Sequence, residues 1–439
     1  MTRMFNFRAT IAGCATLQRA RSALAALLLA AALGLAGPQA PAAAATSPAT
    51  APLVQQSDIT YLGAFALPSW ANGAIGTSSF EYGGHALTAY TDPATGASTL
   101  FMEGHAQQPG NVAQVQIPAT LAQSSNWSAL PVAKVLQPFA GITDGLLNMI
   151  DPTNVGNPIF IYGLLPYNGR LIVASSSSYS ASQSVSHGVR SLNLSAPGTF
   201  KGWYSLSSAA PPRAVGGPMG MIPPEWQAAF GGPAFTGQCC ISITGSTSAG
   251  FSLTVFNPDD VGVKNPVPGN TVLFYPLSNP QCGALHCEAT QNSNYNLTTV
   301  YGGFGFVPGT RTVFFVGAMG IGPYCYGSAS DCGNDTALQD VKGPHAQPYQ
   351  YQLWAYDAND LLAVKNGTKQ SWQPQPYGVW RLDGMPYSDN DKIKGAAFDP
   401  ATGRLYITQD YGTNPRVEVY QITVTGVKIP SPPTQVGVS

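Results

Sequence analysis

Short apolar runs separated by turn residues recur along the chain, and one turn occurs twice. The pentapeptide DPATG occupies residues 92–96 and 399–403, each time between two apolar segments. Proline fixes φ and glycine supplies positive φ, so this pentapeptide is typical of a tight hairpin. Two segments, YGLLPYNGRLIVASSSSY (162–179) and YGGFGFVPGTRTVFFVGAMG (301–320), have the same layout with other turns. A fifth, less regular copy is TGQCCISITGSTSAG (236–250). The pattern predicts five similar units of antiparallel strands.

Each unit opens with a glycine, at positions 83, 163, 237, 302 and 395. A third strand follows in every unit, and a fourth strand follows in all units except the last. A matching segment, ITYLGAFALP (59–68), stands near the start of the chain. This arrangement predicts an all-β fold, a five-bladed β-propeller closed by the N-terminal strand, which pairs with the last blade. The alternative is a β-sandwich with jelly-roll strand order. Helical periodicity is clearest at DANDLLAVKNG (357–367).

The N-terminal region has the features of an export signal. Arginines precede an apolar stretch at 23–35, and a small-residue tract, PQAPAAAAT, follows it. This order predicts a signal peptide over residues 1–45. The alternative, an uncleaved anchor, is disfavoured because about 13 apolar residues fall short of the roughly 20 that span a bilayer. We therefore expect a secreted or periplasmic protein, with no stable membrane insertion after cleavage. We expect a flexible segment at 46–58, a single propeller at 59–424 and a disordered proline-rich tail at 425–439.

Composition narrows the classes of partner. Only 9% of the residues are charged, against about 25% in typical proteins. The net charge is −1 and the chain has no run of lysine or arginine. Nucleic acid is therefore not an expected partner.

Six of the seven cysteines lie after residue 45, an even number in an exported chain. Local spacing predicts two disulfides, Cys282 with Cys287 and Cys325 with Cys332. Cys239 and Cys240 are neighbours, and they form either a vicinal disulfide or a pair of buried thiols. Zinc is not favoured, because the chain lacks paired CxxC or HxxxH spacing.

Loop lengths indicate which face of the propeller binds a ligand. The turns between first and second strands are short, whereas the connections on the opposite face are long. Long ordered loops on a rigid scaffold are where binding sites usually lie. We therefore expect a site for a glycan or another small polar ligand at the long-loop mouth of the central channel.

Candidate site residues follow from this placement. The residues expected to bind substrate are Tyr82, Tyr162, Thr236, Gln238, Tyr301, Lys394, His105 and His345. The residues expected to carry acid–base chemistry are Glu81, His85, His187 and Asp410. Trp70 and Trp226 lie on predicted mouth loops and are candidates for stacking on sugars. The alternative for the tyrosines is that they pack between blades, while the leading glycines let the first strands crowd the axis.

No cofactor is predicted, and two metal alternatives stay open. The histidines could bind a transition metal if they converge. The segment at 389–391, Asp-Asn-Asp, could bind calcium, although it lacks the full EF-hand pattern.

The YGG segments, IPPEWQAAFGGPAFTGQCC (222–240) and PYQYQLWAYDANDLLAVKNG (348–367) resemble a group of uncharacterised exported bacterial β-propeller proteins. The resemblance covers most of 59–424 and implies a shared fold, with no catalytic residues to carry over. More distantly, the architecture is similar to the five-bladed propellers of glycoside hydrolases and related lyases. Those hydrolases place acidic residues on their innermost strands, whereas the corresponding positions here carry Tyr, Thr and Lys.

The favoured interpretation is an exported carbohydrate-active or carbohydrate-binding propeller. If it is an enzyme, the expected reaction is glycan cleavage, by a glycoside hydrolase or a polysaccharide lyase. The alternative is a non-catalytic scaffold that binds proteins or glycans through its loop face.

Overall fold

A computed structural model describes residues 47–427 with gaps. The gaps are residues 71–74, 154–157, 178–181, 239–248, 284–286, 288–293, 329, 334–341, 388–392 and 410–411. The predicted signal peptide, Cys239, Cys240, the Asp-Asn-Asp segment, Asp410 and residues 428–439 lie outside the described residues. Within the described ranges, no helix has the length and apolar character needed to cross a bilayer.

The described residues form five blades, and in each of them four antiparallel strands lie side by side. The strands follow chain order from the inside outward, except that the N-terminal strand is the outermost strand of the last blade. Blade 1 contains β2 (Leu87–Thr91), β3 (Ser98–Glu103), β4 (Asn111–Gln116) and β5 (Lys134–Gly141). Blade 2 contains β6 (Ile159–Tyr167), β7 (Arg170–Ser177), β8 (His187–Ser191) and β9 (Lys201–Tyr204). Blade 3 contains β11 (Met219–Met221), β12 (Ala234–Thr236), β13 (Ser252–Phe256) and β14 (Val267–Phe274), with β10 (Leu206–Ser207) parallel to its outer edge.

Blade 4 contains β15 (Val300–Phe306), β16 (Thr312–Gly320), β19 (Tyr349–Asp357) and β20 (Gly378–Arg381). A two-stranded ribbon, β17 (Cys325–Gly327) with β18 (Gly343–His345), is inserted between β16 and β19. Blade 5 contains β21 (Ile393–Asp399), β22 (Arg404–Gln409), β23 (Arg416–Ile422) and, outermost, β1 (Ile59–Ala66). The prediction of an all-β, five-bladed propeller is therefore confirmed.

Helices are few and short in the described part of the chain. The α-helices are α1 (Pro224–Phe230) and α2 (Ala358–Lys365). The Asp357 carboxylate caps α2 by accepting a hydrogen bond from the Asn359 amide at 2.9 Å. Single 3-10 turns lie at Pro48–Thr50, Gln56–Asp58, Trp127–Ala129, Leu147–Ile150, Pro212–Val215 and Pro258–Asp260.

Blade 3 departs from the predicted layout. The sequence pattern places its first strand at Thr236, but Thr236 ends the second strand, β12, opposite Met219 of the true inner strand. The inner strand β11 has only three residues, too few to show an alternating pattern. Helix α1 follows it where the other blades have a tight turn. The equivalence of Thr236 with Tyr162 and Tyr301 was therefore wrong.

The inner strands of neighbouring blades approach each other closely at glycines. A Cβ atom on Gly163 would lie 2.0 Å from the carbonyl oxygen of Gly217, and one on Gly303 would lie 2.1 Å from that of Ala396. Tyr301 is buried, and its ring meets Phe251 of blade 3 edge-on at a centroid distance of 4.8 Å. These contacts favour the alternative interpretation for that residue, because the glycines allow the inner strands to crowd and Tyr301 packs between blades.

The core lies between the faces of neighbouring blades. The ring of Phe251 in blade 3 stacks on that of Phe315 in blade 4, with centroids 4.3 Å apart. Leu100 of blade 1 and Tyr406 of blade 5 belong to another such cluster. Neighbouring blades therefore bury apolar side chains against each other around the axis.

The last blade combines strands from both ends of the described chain. Strand β1 pairs antiparallel with β23, with Ile59 opposite Ile422. The Tyr61 hydroxyl of β1 donates to Glu418 Oε2 of β23 at 2.7 Å. Within the segment expected to be flexible, 46–58, Val54 contacts blade 4. Val54 is buried, and its amide donates to Thr312 Oγ1 at 2.9 Å.

Both predicted local disulfides are present. Cys282 is bonded to Cys287, and Cys325 is bonded to Cys332, with Cα atoms 5.5 Å apart in each pair. The second bridge joins Cys325, the first residue of β17, to Cys332, which lies between β17 and β18.

Candidate functional site

A pocket of about 580 Å³ opens on the long-loop face where blades 5 and 1 meet. Strands β3 and β22 both begin at a DPATG turn, so their far ends lie on the opposite, long-loop face. The pocket is formed by the loops after β1, β3 and β22 and by the turn before β2. We call it the aromatic pocket, and its lining residues are Ser69, Trp70, Ser79, Glu81, Tyr82, His105, Gln107, Gln108 and Thr413.

A buried carboxylate lies in the wall of the aromatic pocket. Glu81 is only 5% exposed, and its Oε1 accepts a hydrogen bond from the Trp70 amide. Its Oε2 is buried and has no hydrogen-bond partner among the described residues, and the same holds for the hydroxyl of Ser79. An unpaired buried polar group costs about 1–3 kcal/mol, so such atoms are normally satisfied. A ligand hydroxyl that donated to Glu81 Oε2 would recover that energy, and because the oxygen is buried this contact requires a local shift of the pocket wall.

Two aromatic side chains lie on the exposed side of the same pocket. Trp70 is 51% exposed and Tyr82 is 42% exposed. Tyr82 has a φ of 53°, a left-handed conformation that is uncommon for a residue with a bulky side chain. Its carbonyl accepts a hydrogen bond from the Ala106 amide at 3.3 Å. The backbone therefore directs a large aromatic ring into the opening of the pocket at some conformational cost.

His105 lies beside Tyr82, with ring centroids 5.4 Å apart. Its Nδ1 accepts a hydrogen bond from the Gln107 amide at 3.0 Å. The neutral ring therefore carries its proton on Nε2 and offers a hydrogen-bond donor there. The aromatic pocket thus combines flat apolar rings with hydrogen-bond donors and a hydrogen-bond acceptor.

A second group of predicted site residues lies closer to the channel axis. It includes His85, which follows Tyr82 in the chain after two glycines. His85 Nδ1 is 3.2 Å from Glu103 Oε2, and Glu103 Oε1 accepts from the Ile161 amide at 3.0 Å. The His85 ring stacks on Phe160 at 4.7 Å and meets the edge of Tyr162 at 5.6 Å. These contacts hold the imidazole in one orientation.

The electrostatics of this group favour a neutral imidazole. Burial, assisted by the positive charge of Lys394, holds the pKa of His85 well below its ordinary value. A neutral, oriented imidazole beside a carboxylate has a free lone pair for a proton, but the lowered pKa makes it a weak base, so its geometry alone supports a general-base role. We call His85, Glu103, Tyr162 and Lys394 the axial cluster.

His187 does not reach either group. It is buried, its Nδ1 is 2.8 Å from Ser186 Oγ, and its Nε2 is 3.2 Å from Thr236 Oγ1. Burial lowers its pKa to about 3. Thr236 is also buried and donates to the Val215 carbonyl at 2.6 Å. Both residues are therefore parts of the interior of blades 2 and 3, and neither lines the aromatic pocket, where a ligand role was expected.

Other predicted site residues are likewise in the interior. Gln238, Tyr301, His345 and Trp226 are all buried, and none of them lines the aromatic pocket. Trp226 Nε1 donates to the Thr310 carbonyl at 2.9 Å, which places this stacking candidate in the core between blades 3 and 4. The structure therefore brings together Glu81, Tyr82 and His105 in one place, and His85, Tyr162 and Lys394 in another.

The sequence pattern did not identify several residues that line the aromatic pocket or contact His85. Glu103 is not among the candidate site residues named from the sequence, and its position at the end of a second strand, β3, was the available signal. Ser79, Gln107, Gln108 and Thr413 carried no signal beyond their location in loops. In the described part of the chain, no group of three or more His, Cys, Asp or Glu side chains is arranged to hold a metal ion.

The fold defines the protein as a five-bladed β-propeller. It is similar to the GH43 endo-arabinanase from Bacillus licheniformis, at 11% identity over 79% of this chain and 95% of that chain, with a TM-score of 0.38. A glycosyl hydrolase from Bacteroides ovatus is 10% identical over 88% of this chain and 95% of that chain, with a TM-score of 0.40. A member of the DUF4221 family from Bacteroides vulgatus is 10% identical over 84% and 99%, with a TM-score of 0.34.

Comparison with protein-family models and with curated proteins gives no match. At the identities above, the likeness to solved structures concerns the fold alone.

Proposed function

We propose that the protein binds a carbohydrate in the aromatic pocket on the long-loop face of its propeller. The observation that carries this proposal is the meeting of two exposed rings, Trp70 and Tyr82, with the unpartnered carboxylate oxygen of Glu81. Sugars present apolar C–H faces that stack on aromatic rings, and hydroxyl groups that donate hydrogen bonds to carboxylates. The pocket volume of about 580 Å³ suits a small ligand.

We also propose that the protein is exported, with residues 1–45 removed as a signal peptide. The apolar stretch and small-residue tract of the N-terminal region support this proposal. The two disulfides support it further, because disulfides persist mainly in oxidising compartments. Mass spectrometry of the protein recovered from the extracellular or periplasmic fraction tests this, and an intact N-terminus there would contradict it.

Calorimetric titration of the purified mature chain with a panel of oligosaccharides tests the binding proposal. Removing one stacking ring with Trp70→Ala should weaken binding about tenfold, since a loss near 1.4 kcal/mol corresponds to that factor. Glu81→Gln should weaken binding to a similar extent, because the amide replaces a charged acceptor with a neutral group of the same shape.

The matched control is Tyr326→Ala. Tyr326 is 55% exposed on the ribbon and lines none of the pockets described here, so its removal should change affinity less than twofold. If no oligosaccharide binds the unaltered protein, the proposal is wrong. If Tyr326→Ala weakens binding as much as Trp70→Ala, the aromatic pocket is not the site.

A second candidate function, glycan cleavage, is favoured by one observation: the oriented, neutral imidazole of His85 beside Glu103. In this proposal His85 exchanges a proton with the substrate and Glu103 positions its ring. Glu81 lies in the separate aromatic pocket, so it would act as the second acid or base only on a substrate that spans both groups. Asp410 remains a candidate for the same role. Tyr162 and Lys394 would hold the substrate near the axis, and Tyr82 and His105 would hold it in the aromatic pocket.

Incubation with polysaccharides, followed by assays for reducing ends and for unsaturated products, tests cleavage. His85→Ala should abolish product formation while calorimetric binding in the aromatic pocket is retained. Glu103→Gln should lower the rate and shift its pH profile, because the ring loses its charged partner. Measurable binding with no product in either assay would remove the enzyme candidate and leave the carbohydrate-binding proposal in place.

A further inference from the structure

Two more pockets open on the long-loop face, beyond the aromatic pocket. The first, about 500 Å³, is lined mostly by polar side chains, including Asn126, Gln409 and Asn414, and we call it the polar pocket. The second, about 240 Å³, contains Tyr349, Tyr351 and Tyr387, and we call it the tyrosine pocket. Both lie at strand ends of blades 5 and 4 that are opposite the short turns.

The three pockets border one another in order. Thr413 lines the aromatic pocket, and the next residue, Asn414, lines the polar pocket. Pro386 lines the polar pocket, and its two neighbours, Met385 and Tyr387, line the tyrosine pocket. Adjacent Cα atoms are only about 3.8 Å apart, so each boundary is one residue wide.

A hydrogen-bonded side chain joins the second and third pockets. Gln409 Nε2 donates to the Tyr351 hydroxyl at 3.2 Å and to the Pro386 carbonyl at 3.1 Å. Tyr351 in turn packs against Tyr387, with ring centroids 5.3 Å apart. Tyr387 is 46% exposed, so the tyrosine pocket ends in an accessible aromatic ring.

We infer that the three pockets form one groove, which binds an extended, uncharged polysaccharide chain running from blade 1 across blade 5 to blade 4. This inference rests on the proposed carbohydrate function and names its substrate class. Exposed rings lie at both ends of the groove, Trp70 and Tyr387, and amide side chains lie between them. A linear glycan repeats the same two features, apolar sugar faces and hydroxyl groups, along its length.

The charges along the groove favour a neutral chain over one that carries uronate or sulfate groups. Arg416, in the polar pocket, has its Nε 2.6 Å from Glu418 Oε1 and donates to the carbonyls of Ser124 and Ser125. Arg381, in the tyrosine pocket, has its Nε 2.9 Å from Asp383 Oδ1. The cations among the described lining residues are therefore already paired with carboxylates. Glu81 would in addition repel an anionic substrate.

Length dependence of binding tests the groove. The probes are a disaccharide and a hexasaccharide from each of several neutral polymers, such as xylan, arabinan, glucan and mannan, measured by calorimetry. The hexasaccharide of the recognised polymer should bind at least about tenfold more tightly than its disaccharide. Tyr387→Ala should remove about tenfold from hexasaccharide affinity and leave disaccharide affinity unchanged, whereas Trp70→Ala should weaken both.

Two further variants guard against effects on folding. Asn414→Ala alters an exposed side chain of the polar pocket and should reduce hexasaccharide affinity a few-fold at unchanged melting temperature. Tyr326→Ala, off the groove, should change neither affinity.

Each remaining outcome decides between the two proposals. Equal affinities for the two lengths would overturn the groove and leave the carbohydrate proposal standing. Tighter binding of a galacturonate or sulfated hexasaccharide than of any neutral one would overturn the uncharged substrate. Failure of both lengths to bind would overturn the proposed function itself.

Discussion

Replacing Gly303 with alanine tests whether close approach of the inner strands stabilises the propeller. Gly303 lies on β15, and a Cβ atom there would lie 2.1 Å from the carbonyl oxygen and 2.8 Å from the carbonyl carbon of Ala396 on β21. Real Cβ atoms essentially never come within 3.0 Å of such neighbours. The two strands would have to separate by roughly 1 Å in an interior packed as densely as a crystal.

The expected cost follows from the kind of atom that must move. Overpacking a core typically costs about 1–3 kcal/mol, and we expect about 3 kcal/mol here because the obstacle is backbone instead of a flexible side chain. Unfolding entropy is about 2.1 cal/mol/K per residue, or about 0.8 kcal/mol/K for the roughly 380 residues from Pro48 to Val427. The melting temperature should therefore fall by about 4 °C in differential scanning calorimetry.

Gly141→Ala is the matched control. Gly141 ends β5, the outer strand of blade 1, and a Cβ atom there would have no neighbour within 4 Å. The substitution should be neutral or stabilise by up to about 1 kcal/mol, because alanine restricts the unfolded chain. Equal melting temperatures for Gly303→Ala and the unaltered protein, or equal losses in the two variants, would refute the argument about axial crowding.

Three further predictions concern single interactions. Because burial lowers the pKa of His187 to about 3 from 6.5, the unfolded chain binds a proton between these pH values and the folded chain does not. The free energy of unfolding should fall by up to about 5 kcal/mol as the pH drops through that window. In urea unfolding, His187→Gln should flatten the slope of this free energy against pH, and an unchanged slope would contradict the assignment. Tyr61→Phe, which removes the 2.7 Å hydrogen bond to the buried Glu418, should cost about 2 kcal/mol, and calorimetry showing no loss would disprove a role in holding β1. Replacing Cys282 and Cys287 together by serine should cost about 2 kcal/mol, since the bridge closes a loop with a separation of 5 residues; thermal melting checks this, with no change as the contrary result.

The turn chemistry made most of the fold predictable. The DPATG, NG and VPG turns each connect the first and second strands of a blade, and the strands around them form as expected in blades 1, 2, 4 and 5. Blade 3 was misread because its inner strand has three residues and is followed by α1. A strand that short carries no periodic signal, so its pairing partner identifies it only in the folded sheet.

The candidate site was predictable from the sequence only in part. Loop lengths placed Glu81, Tyr82 and His105 on the long-loop face, and these three residues line one pocket there. His187 was expected at the same mouth, but its side chain bonds to Thr236 of the next blade in the interior. The side chain of a strand residue can point either to the mouth of the channel or into the space between two blades. The local sequence is similar in the two cases.

What the amino-acid sequence determined by itself were the local features: the strand pairs, the hairpin turns, the short-range disulfides and the number of repeated units. These depend on φ preferences and on contacts between residues a few positions apart, which the chain carries wherever it folds. Only the tertiary structure decided that Glu103 faces His85, that Glu81 is left with an unpaired oxygen, and that three pockets lie in a row. Those features depend on how blades pack around the axis, because each joins side chains that only the closed ring of blades brings together.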